Sequence, residues 1–241
     1  TGTETSNRIV IDNVTSGEVK IYLNNVNINT NAGPALKITS TVTAQVCIYL
    51  EGQNILKTTL YSSAALQKDN NSGLTITSTN TVTGSLAAQA SYGAGIGSGQ
   101  HIGYTSISGY TVSNITISNC SIEASSDYGA GIGSGHHMGG NSASISGNTV
   151  SNITISGGSV KATKIDCIPK DSKNNDVYLC KISNAASSEI TIDAVKRNGP
   201  YNHSSIDPSD TTLYAWLTGT DHVVTVGNDS RKYSFDSANY S

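Results

Sequence analysis

The segment Tyr92–Gly99, YGAGIGSG, decides the fold, because it returns unchanged as Tyr128–Gly135, 36 residues further along the chain. A second segment, Ser113–Ser118 (SNITIS), returns as Ser151–Ser156 after 38 residues. The two-residue difference places an insertion between the two repeated segments, and only a loop accommodates an insertion at low cost. A period of this length indicates a solenoid in which each repeat forms one coil.

Weaker copies of the same pattern occur upstream and alternate apolar with polar residues, as strands with one buried face do. They are Val19–Leu23, Val46–Leu50 and Leu74–Thr77. Each copy is followed by two further short strands, and no helical pattern lies between them. The sequence therefore predicts an all-β chain, a right-handed parallel β-helix of four to five coils. One interior column is expected from Leu23, Leu50, Ile76, Ile117 and Ile155.

The repeat pattern stops near Asp166, and the remaining short strands are separated by gaps of hairpin length. We expect residues 1–165 to form the β-helix and residues 166–241 to form a small antiparallel β cap or module. A solenoid end exposes unpaired backbone and core, so a cap there has a physical purpose. Trp216 is expected to anchor the core of this module.

The composition excludes several classes of protein. Charged residues make up 13% of the 241 residues and the net charge is −3, so the chain lacks the basic surface of a nucleic-acid binder. Its apolar runs are too short for membrane insertion. Cys47 and Cys120 are expected as packed side chains. Cys167 and Cys180 flank a polar loop, and either a disulfide suited to an exported protein or two free thiols fits this spacing.

Two long loops, residues 100–112 and 136–150, belong to adjacent coils and are expected to lie side by side. Tyrosine rings stack on sugars and imidazoles bind hydroxyl groups, so these loops form a candidate glycan site, although they also fit solvated loops. The candidate residues in the loops are His101, Tyr104, Tyr110, His136 and His137. Tyr92 and Tyr128 should stack one coil apart, as a sugar platform or, the favoured interpretation, as a corner ladder.

Catalytic and metal sites receive less support. Glycoside hydrolysis requires two carboxyl groups on one surface, and no two carboxylates occupy equivalent positions on neighbouring coils. Asp127 is the best acidic candidate. His101 and His137 should stack but lack a third metal ligand. Calcium could bind the oxygen-rich turns Asp69–Asn71 and Asp171–Asp176, but ordinary turn chemistry is favoured there, so no cofactor is expected.

Several segments resemble the carbohydrate-binding, pectate-lyase-like β-helix repeats of surface proteins from Gram-positive gut bacteria. They are LEGQNIL (50–56), AALQ (64–67), LTITSTNTVTG (74–84) and the two YGAGIGSG and SNITIS copies, with VYLCKIS (177–183) and TLYAWL (212–217) resembling the small module that follows such repeats. Lyases of this shape usually carry an arginine, and none occurs between Arg8 and Arg197.

The resemblance implies an extracellular protein, secreted or cell-wall associated, that is part of a larger multidomain chain and has a polysaccharide or a host or plant glycan as its partner. The expected function is therefore non-catalytic glycan binding, for example as an adhesin. A glycan-active enzyme of the same fold, a glycoside hydrolase or polysaccharide lyase, is the alternative. A structural stalk that displays other domains is the third.

Overall fold

The computed structural model describes residues 2–79, 84–102, 111–138, 149–183, 185, 189–197 and 210–234. These residues form strands and turns, and no helix occurs among them. The first seventeen strands are β1 (Ile9–Ile11), β2 (Glu18–Asn24), β3 (Asn27–Thr30), β4 (Leu36–Ile38), β5 (Gln45–Glu51), β6 (Gln53–Thr58), β7 (Leu66–Lys68), β8 (Leu74–Ser78), β9 (Ser85–Ala90), β10 (Ile96–Gly97), β11 (His101–Ile102), β12 (Thr111–Ser118), β13 (Ser121–Ser126), β14 (Ile132–Gly133), β15 (His137–Met138), β16 (Thr149–Ser156) and β17 (Ser159–Ala162).

Fifteen of these strands build three parallel sheets, which we call the first, second and third walls. The first wall has the order β1-β4-β7-β10-β14, the second β16-β12-β8-β5-β2 and the third β17-β13-β9-β6-β3. Each coil contributes one strand to each wall, so the chain makes five coils. The remaining pair, β11 and β15, joins the two long-loop regions as a separate parallel ladder. The predicted all-β parallel β-helix is confirmed.

The interior column differs from the predicted one in its register. Ile21, Ile48, Ile76, Ile117 and Ile155 are aligned from coil to coil, whereas Leu50 pairs with Ser78. Leu23 and Leu50 are buried too, but they form a row two residues further along. Alternation fixes which face of a strand is buried, and a slip of two residues preserves that face. The sequence pattern therefore found the interior side of each strand and misplaced the register between coils two and three.

The glycine-rich repeat is required by the close approach of successive coils. A Cβ atom on Gly97 would lie 1.8 Å from the carbonyl oxygen of Gly133, and the φ angle of Gly97 is 141°. Strand β10 pairs with β14 here, so any side chain at Gly97 would strike the backbone of the next coil. The run therefore lacks bulky side chains because the backbone of the next coil comes close to it.

Asparagine and glycine make the corner between the second and third walls. Asn25, Gly52, Asn119 and Gly157 each adopt a positive φ at this corner. Asparagine tolerates the left-handed conformation better than most residues, and glycine adopts it without steric cost. Asparagine or glycine at this position therefore lets the chain turn at an equivalent place in coils one, two, four and five.

The C-terminal module contains two small antiparallel sheets. Strands β18 (Val177–Ile182) and β21 (Leu213–Thr218) form one of them. The other has the order β20-β19-β22-β23, with β19 (Ile190–Ile192), β20 (Val195–Arg197), β22 (His222–Val226) and β23 (Asp229–Tyr233). Its apolar cluster is separate from the solenoid core and includes Ile182, Ile190, Ile192, Leu213, Leu217 and Val224.

Trp216 does not anchor the module core, contrary to the sequence-based expectation. It packs against the solenoid core, and its indole N–H donates to the carbonyl of Val160 at 2.9 Å. The alternation of β21 explains this, because Leu213 and Leu217 face the module cluster while Trp216 lies on the opposite face. Trp216 therefore docks the module onto the last coil.

The four cysteines are free thiols in the structure, so no disulfide joins Cys167 to Cys180. The two residues pack against different apolar clusters, Cys167 against the solenoid core and Cys180 against the module core. Cys47 and Cys120 are buried as expected. Burial raises the pKa of the Cys120 thiol to about 12, so it stays protonated and inert.

Candidate functional site

Three tyrosine rings contact one another in a ladder at the corner that leads from the third wall to the first wall of the next coil. The ring centroids of Tyr61 and Tyr92 are 3.8 Å apart, and those of Tyr92 and Tyr128 are 4.4 Å apart. These tyrosines follow β6, β9 and β13, which are neighbours in the third wall. Since adjacent strands lie about 4.8 Å apart, equivalent side chains at one corner meet face to face. The predicted stacking of Tyr92 and Tyr128 one coil apart is confirmed.

The ladder leaves different surfaces available on its members. Tyr92 has a neighbouring ring on each side, whereas Tyr128 ends the aromatic stack and is 59% exposed. A sugar ring stacks on the face of an aromatic side chain. Tyr92 therefore offers only its edge and its hydroxyl group, while Tyr128 offers a ring face.

Polar groups surround the Tyr128 end of the ladder. The His136 ring lies 5.9 Å from the rings of both Tyr92 and Tyr128, and its backbone N–H donates to the carbonyl of Tyr92 at 2.6 Å. Asp127 is exposed and accepts a hydrogen bond from the hydroxyl of Ser91 at 2.9 Å. Hydroxyl-rich ligands require such donors and acceptors beside a stacking face. We call Tyr128, His136 and Asp127 the Tyr128 corner.

The other loop candidates are only partly described. His101 and His137 are paired in register in β11 and β15, as the predicted stacking requires of their backbones. Tyr104 and Tyr110 lie outside the described residues, as does the side chain of His101. Their assignment as glycan-binding residues stays a prediction.

Gln100 is a polar residue near this corner that the sequence did not single out. It is 6% exposed, and neither its amide nitrogen nor its amide oxygen has a hydrogen-bond partner among the described residues. Buried polar atoms are nearly always paired in native proteins, so an unpaired amide needs a physical explanation. It immediately precedes β11, at the base of the first long loop.

A groove of about 570 Å³ runs across three coils at the corner between the first and second walls. It is lined by Ser40, Val42, Thr43, Asp69, Asn70, Asn71, Ser72 and Thr111. The Asn70 amide donates to the carbonyls of Thr39 and Val42, so it has the turn-stabilising role that the sequence favoured over calcium binding. Burial raises the pKa of Asp69 despite a hydrogen bond from Gln67.

Lys68 lies behind this groove and is fully buried. Its ammonium donates to the carbonyls of Asn70 at 2.7 Å and Ser113 at 2.8 Å. Burial lowers the pKa of Lys68 to about 8. It replaces the aliphatic Ile38 of the preceding coil, with which it is aligned, and ties the Asn70 turn to the second wall.

One pair of carboxylates comes close enough to be compared with a hydrolase site. Lys161 Nζ lies 2.8 Å from Asp210 Oδ2 and 3.2 Å from Glu123 Oε1, so these two oxygens are at most about 6 Å apart. The side chains of Glu123 and Asp210 are only 10% and 11% exposed, and the ammonium lies against both. The space that a hydrolase leaves between its carboxyl groups is therefore blocked.

The pKa values of this cluster reflect a competition between burial and pairing. Burial by itself favours the neutral form of Lys161, but hydrogen bonds to Asp210 and Glu123 outweigh it and raise the lysine pKa. Burial acts on Asp210 in the same sense, yet hydrogen bonds from Lys161, from the Thr212 N–H and from Tyr214 hold its pKa well below the usual range. Asp210 is thus not poised as a general acid.

This cluster was not predicted from the sequence, although the repeats contain part of its pattern. Glu123 and Lys161 are 38 residues apart, the same spacing as the SNITIS copies, and they are aligned in neighbouring strands. Aligning the repeats would have revealed the opposite charges. Asp210 lies in the non-repetitive module, and no sequence period connects it to the coils.

A histidine and an aspartate form a second polar arrangement, within the module. His222 Nδ1 and Asp193 Oδ2 are 2.6 Å apart, and the N–H of Val223 donates to the other carboxylate oxygen at 2.9 Å. The hydrogen bond with His222 lowers the pKa of Asp193. His222 also lines a pocket of about 300 Å³ with Tyr178, Thr218 and Tyr233 among its walls.

Comparisons with known proteins identify no family for this chain. Comparisons with family models, with curated proteins and with solved structures find no match for this chain. No group of three or more histidine, cysteine, aspartate or glutamate side chains able to hold a metal ion is present in the described part of the chain. The described residues also contain no helix long and apolar enough to cross a membrane.

Proposed function

We propose that this protein is a non-catalytic glycan-binding β-helix and that the Tyr128 corner is its binding surface. The observation that supports the proposal is the exposed ring face of Tyr128 at the end of the tyrosine ladder, with His136 and Asp127 beside it. A pyranose ring stacks on that face while its hydroxyl groups bond to the imidazole and the carboxylate.

The ladder favours binding because it fixes the ring before the ligand arrives. Tyr128 is stacked on Tyr92 with an angle of 15° between the ring planes, and Tyr92 in turn contacts the Tyr61 ring at an interplanar angle of 36°. A ring that is already ordered loses little conformational entropy on binding. The long loops that follow β11 and β15 continue from the same region, so Tyr104 and Tyr110 remain proposed partners of this surface.

The environment we propose is extracellular, with the protein secreted or attached to a cell wall as part of a larger chain. Its low charge, its richness in serine, threonine and asparagine, and the resemblance of its repeats support this. A glycan-active enzyme of the same fold receives no comparable support, since the closest pair of carboxylates described above is bridged by Lys161. Asp127 therefore enters the proposal as a ligand-binding residue.

The test is a glycan array followed by calorimetric titration of the best ligand. Tyr128→Ala should weaken binding several-fold, because one aromatic stacking contact contributes about 1 kcal/mol. Tyr22→Ala is the matched control: Tyr22 is 61% exposed and stacks on Tyr49, but it lies in the second wall. The Tyr22→Ala variant should bind the glycan with the same affinity as the parent protein.

Two outcomes would contradict this assignment. An array without any bound glycan would remove the proposed function. Unchanged affinity in Tyr128→Ala, together with weaker binding in Tyr104→Ala and Tyr110→Ala, would move the site from the corner to the long loops.

A further inference from the structure

Three ionisable side chains meet where the C-terminal module docks on the last coil. Lys161 and Glu123 are aligned in the adjacent strands β17 and β13, and Asp210 approaches from the segment that leads into β21. The lysine Nζ is 2.8 Å from Asp210 Oδ2 and 3.2 Å from Glu123 Oε1. One amine therefore lies within contact distance of two carboxyl groups.

The module buries this cluster against the outer face of the third wall. Ile122 and Ala124 belong to the solenoid core, so the alternation of β13 directs Glu123 outward, yet Glu123 is only 8% exposed. The Tyr214 ring centroid is 5.6 Å from Lys161 Nζ, and Trp216 packs beside it on the same face of β21. The module thus excludes most water from the three groups.

The Asp210 carboxyl group is held at both of its oxygens. The Thr212 N–H donates to Oδ1 at 3.0 Å, and the Tyr214 hydroxyl donates to Oδ2 at 3.0 Å. These donors would stabilise negative charge on the carboxyl oxygens if a nucleophile attacked the carbon between them. Lys161 Nζ, 2.8 Å from Oδ2, is the amine nucleophile in contact with this carboxyl group.

We propose that Lys161 and Asp210 condense to an intramolecular amide that covalently fastens the module to the last coil, with Glu123 as the proton carrier. Glu123 takes a proton from the ammonium, and the freed nitrogen lone pair attacks Cγ of Asp210. The Nζ–Cγ bond forms, and the Cγ–Oδ2 bond breaks with its electron pair leaving on the oxygen.

The atoms and charges balance without any further reactant. Of the three ammonium protons, one stays on the amide nitrogen and two leave with Oδ2 as one molecule of water. Glu123 returns its proton to the departing oxygen and is regenerated, and the Tyr214 hydroxyl assists that oxygen while it leaves. The fold holds the two groups in contact. Well-oriented groups in one molecule react as if each were present at an effective concentration of about 10⁵–10⁸ M.

The step requires neutral reactants, and burial taken by itself favours them. It acts to raise the pKa of Asp210 and to lower the pKa of Lys161, although the ion-pair hydrogen bonds outweigh it in the resting state. The reaction therefore proceeds through a minor neutral form, and we expect it to be slow compared with folding. A nearby carboxylate that moves the proton accelerates such a step by about 10²–10⁴-fold.

The first test is the intact mass of the full chain after purification and prolonged incubation. The linked protein should be lighter than its sequence mass by one water, and a peptide digest should contain one branched peptide that joins Lys161 to Asp210. Lys161→Met and Asp210→Ala should keep the full sequence mass. Glu123→Gln retains both reacting groups and should form the bond at least about 100-fold more slowly.

Two controls separate a specific reaction from incidental chemistry. Lys196 and Glu189 form an ion pair at 3.0 Å that is more than 60% exposed on both sides, and this pair should remain unlinked and open to an amine-reactive label. Asp210→Asn provides a carboxamide in place of the carboxylate. It should form the same amide with loss of ammonia, which also shows that variants at this position still fold.

The proposal is wrong if the incubated parent protein keeps its full sequence mass and Lys161 accepts the amine-reactive label. It is also wrong if water is lost at another residue, or if Glu123→Gln, folded by circular dichroism, forms the bond as fast as the parent does. Glycan binding at the Tyr128 corner is independent of each of these results.

Discussion

The solenoid and the C-terminal module bury their apolar residues in different ways. In the solenoid each interior residue lies between equivalents above and below it, as Ile117 lies between Ile76 and Ile155. The module has one small cluster, and its strand β21 uses one face for that cluster and the other face to dock on the last coil. Neighbouring coils therefore stabilise one another in the solenoid. The module depends on strand β21 both for its apolar cluster and for its contact with the last coil.

The largest expected effect is a loss of stability that distinguishes the solenoid core from the module core. Ile117→Asp places an unpaired charge in a fully buried column, which costs more than about 4 kcal/mol. We expect the cooperative unfolding transition of the solenoid to be lost, as followed by circular dichroism. Ile190→Asp, at an equally buried position in the module, should remove the module's structure and leave the solenoid transition in place.

A similar loss of structure in both variants would show that the two regions fold as one unit. A melting temperature for Ile117→Asp within a degree or two of the parent would contradict the interior column itself.

The next effect concerns the face by which the two regions meet. Trp216→Ala removes packing against the last coil and the hydrogen bond to Val160, and should cost about 2–3 kcal/mol, or roughly 5–10 °C in melting temperature. Trp216→Phe keeps most of the packing and loses the donor, so it should cost about 1 kcal/mol. Calorimetry measures both values, and equal costs would contradict the division between packing and hydrogen bonding.

A smaller, pH-dependent effect arises from Lys68 in the solenoid interior. Its folded pKa of about 8 lies below the ordinary value of 10.5, so the unfolded chain binds the proton more tightly between these pH values. The lysine is charged in both states below pH 8, and burial of that charge is a cost. The cost disappears as the pH rises to 10.5, which should increase the stability by up to about 3 kcal/mol.

The measurement is the difference in unfolding free energy between the parent protein and Lys68→Met at several pH values from 7 to 10.5. The difference should move in favour of the parent as the pH rises. A constant difference would contradict the lowered pKa.

The smallest expected effect is that of reductant. Cys167 and Cys180 belong to different apolar clusters and are free thiols, so a reducing agent should leave the melting temperature unchanged. Both cysteines should accept an alkylating reagent in denaturant without prior reduction. Labelling that appears only after reduction would show that a disulfide does join Cys167 to Cys180.

The repeats explain why much of the fold was predictable and why the site was less so. Two identical copies of YGAGIGSG place Tyr92 and Tyr128 at equivalent corners, and regular strand spacing then brings their rings together. The register between coils two and three was not predictable, because alternation looks the same after a slip of two residues. The roles of Trp216 and Asp210 depend on how a non-repetitive module docks, and no local pattern encodes that contact.

Because coils four and five pair in register, the number of coils in this molecule can change during evolution. Ile96 and Gly97 in the first YGAGIGSG copy pair in register with Ile132 and Gly133 in the second, and β12 pairs in register with β16, so one further copy of the coil fits the existing core without redesign. Duplication of that stretch of gene would add one ring to the tyrosine ladder and one more long loop. Loss of a copy would remove the same units, so such a lineage can change its surface in whole coils.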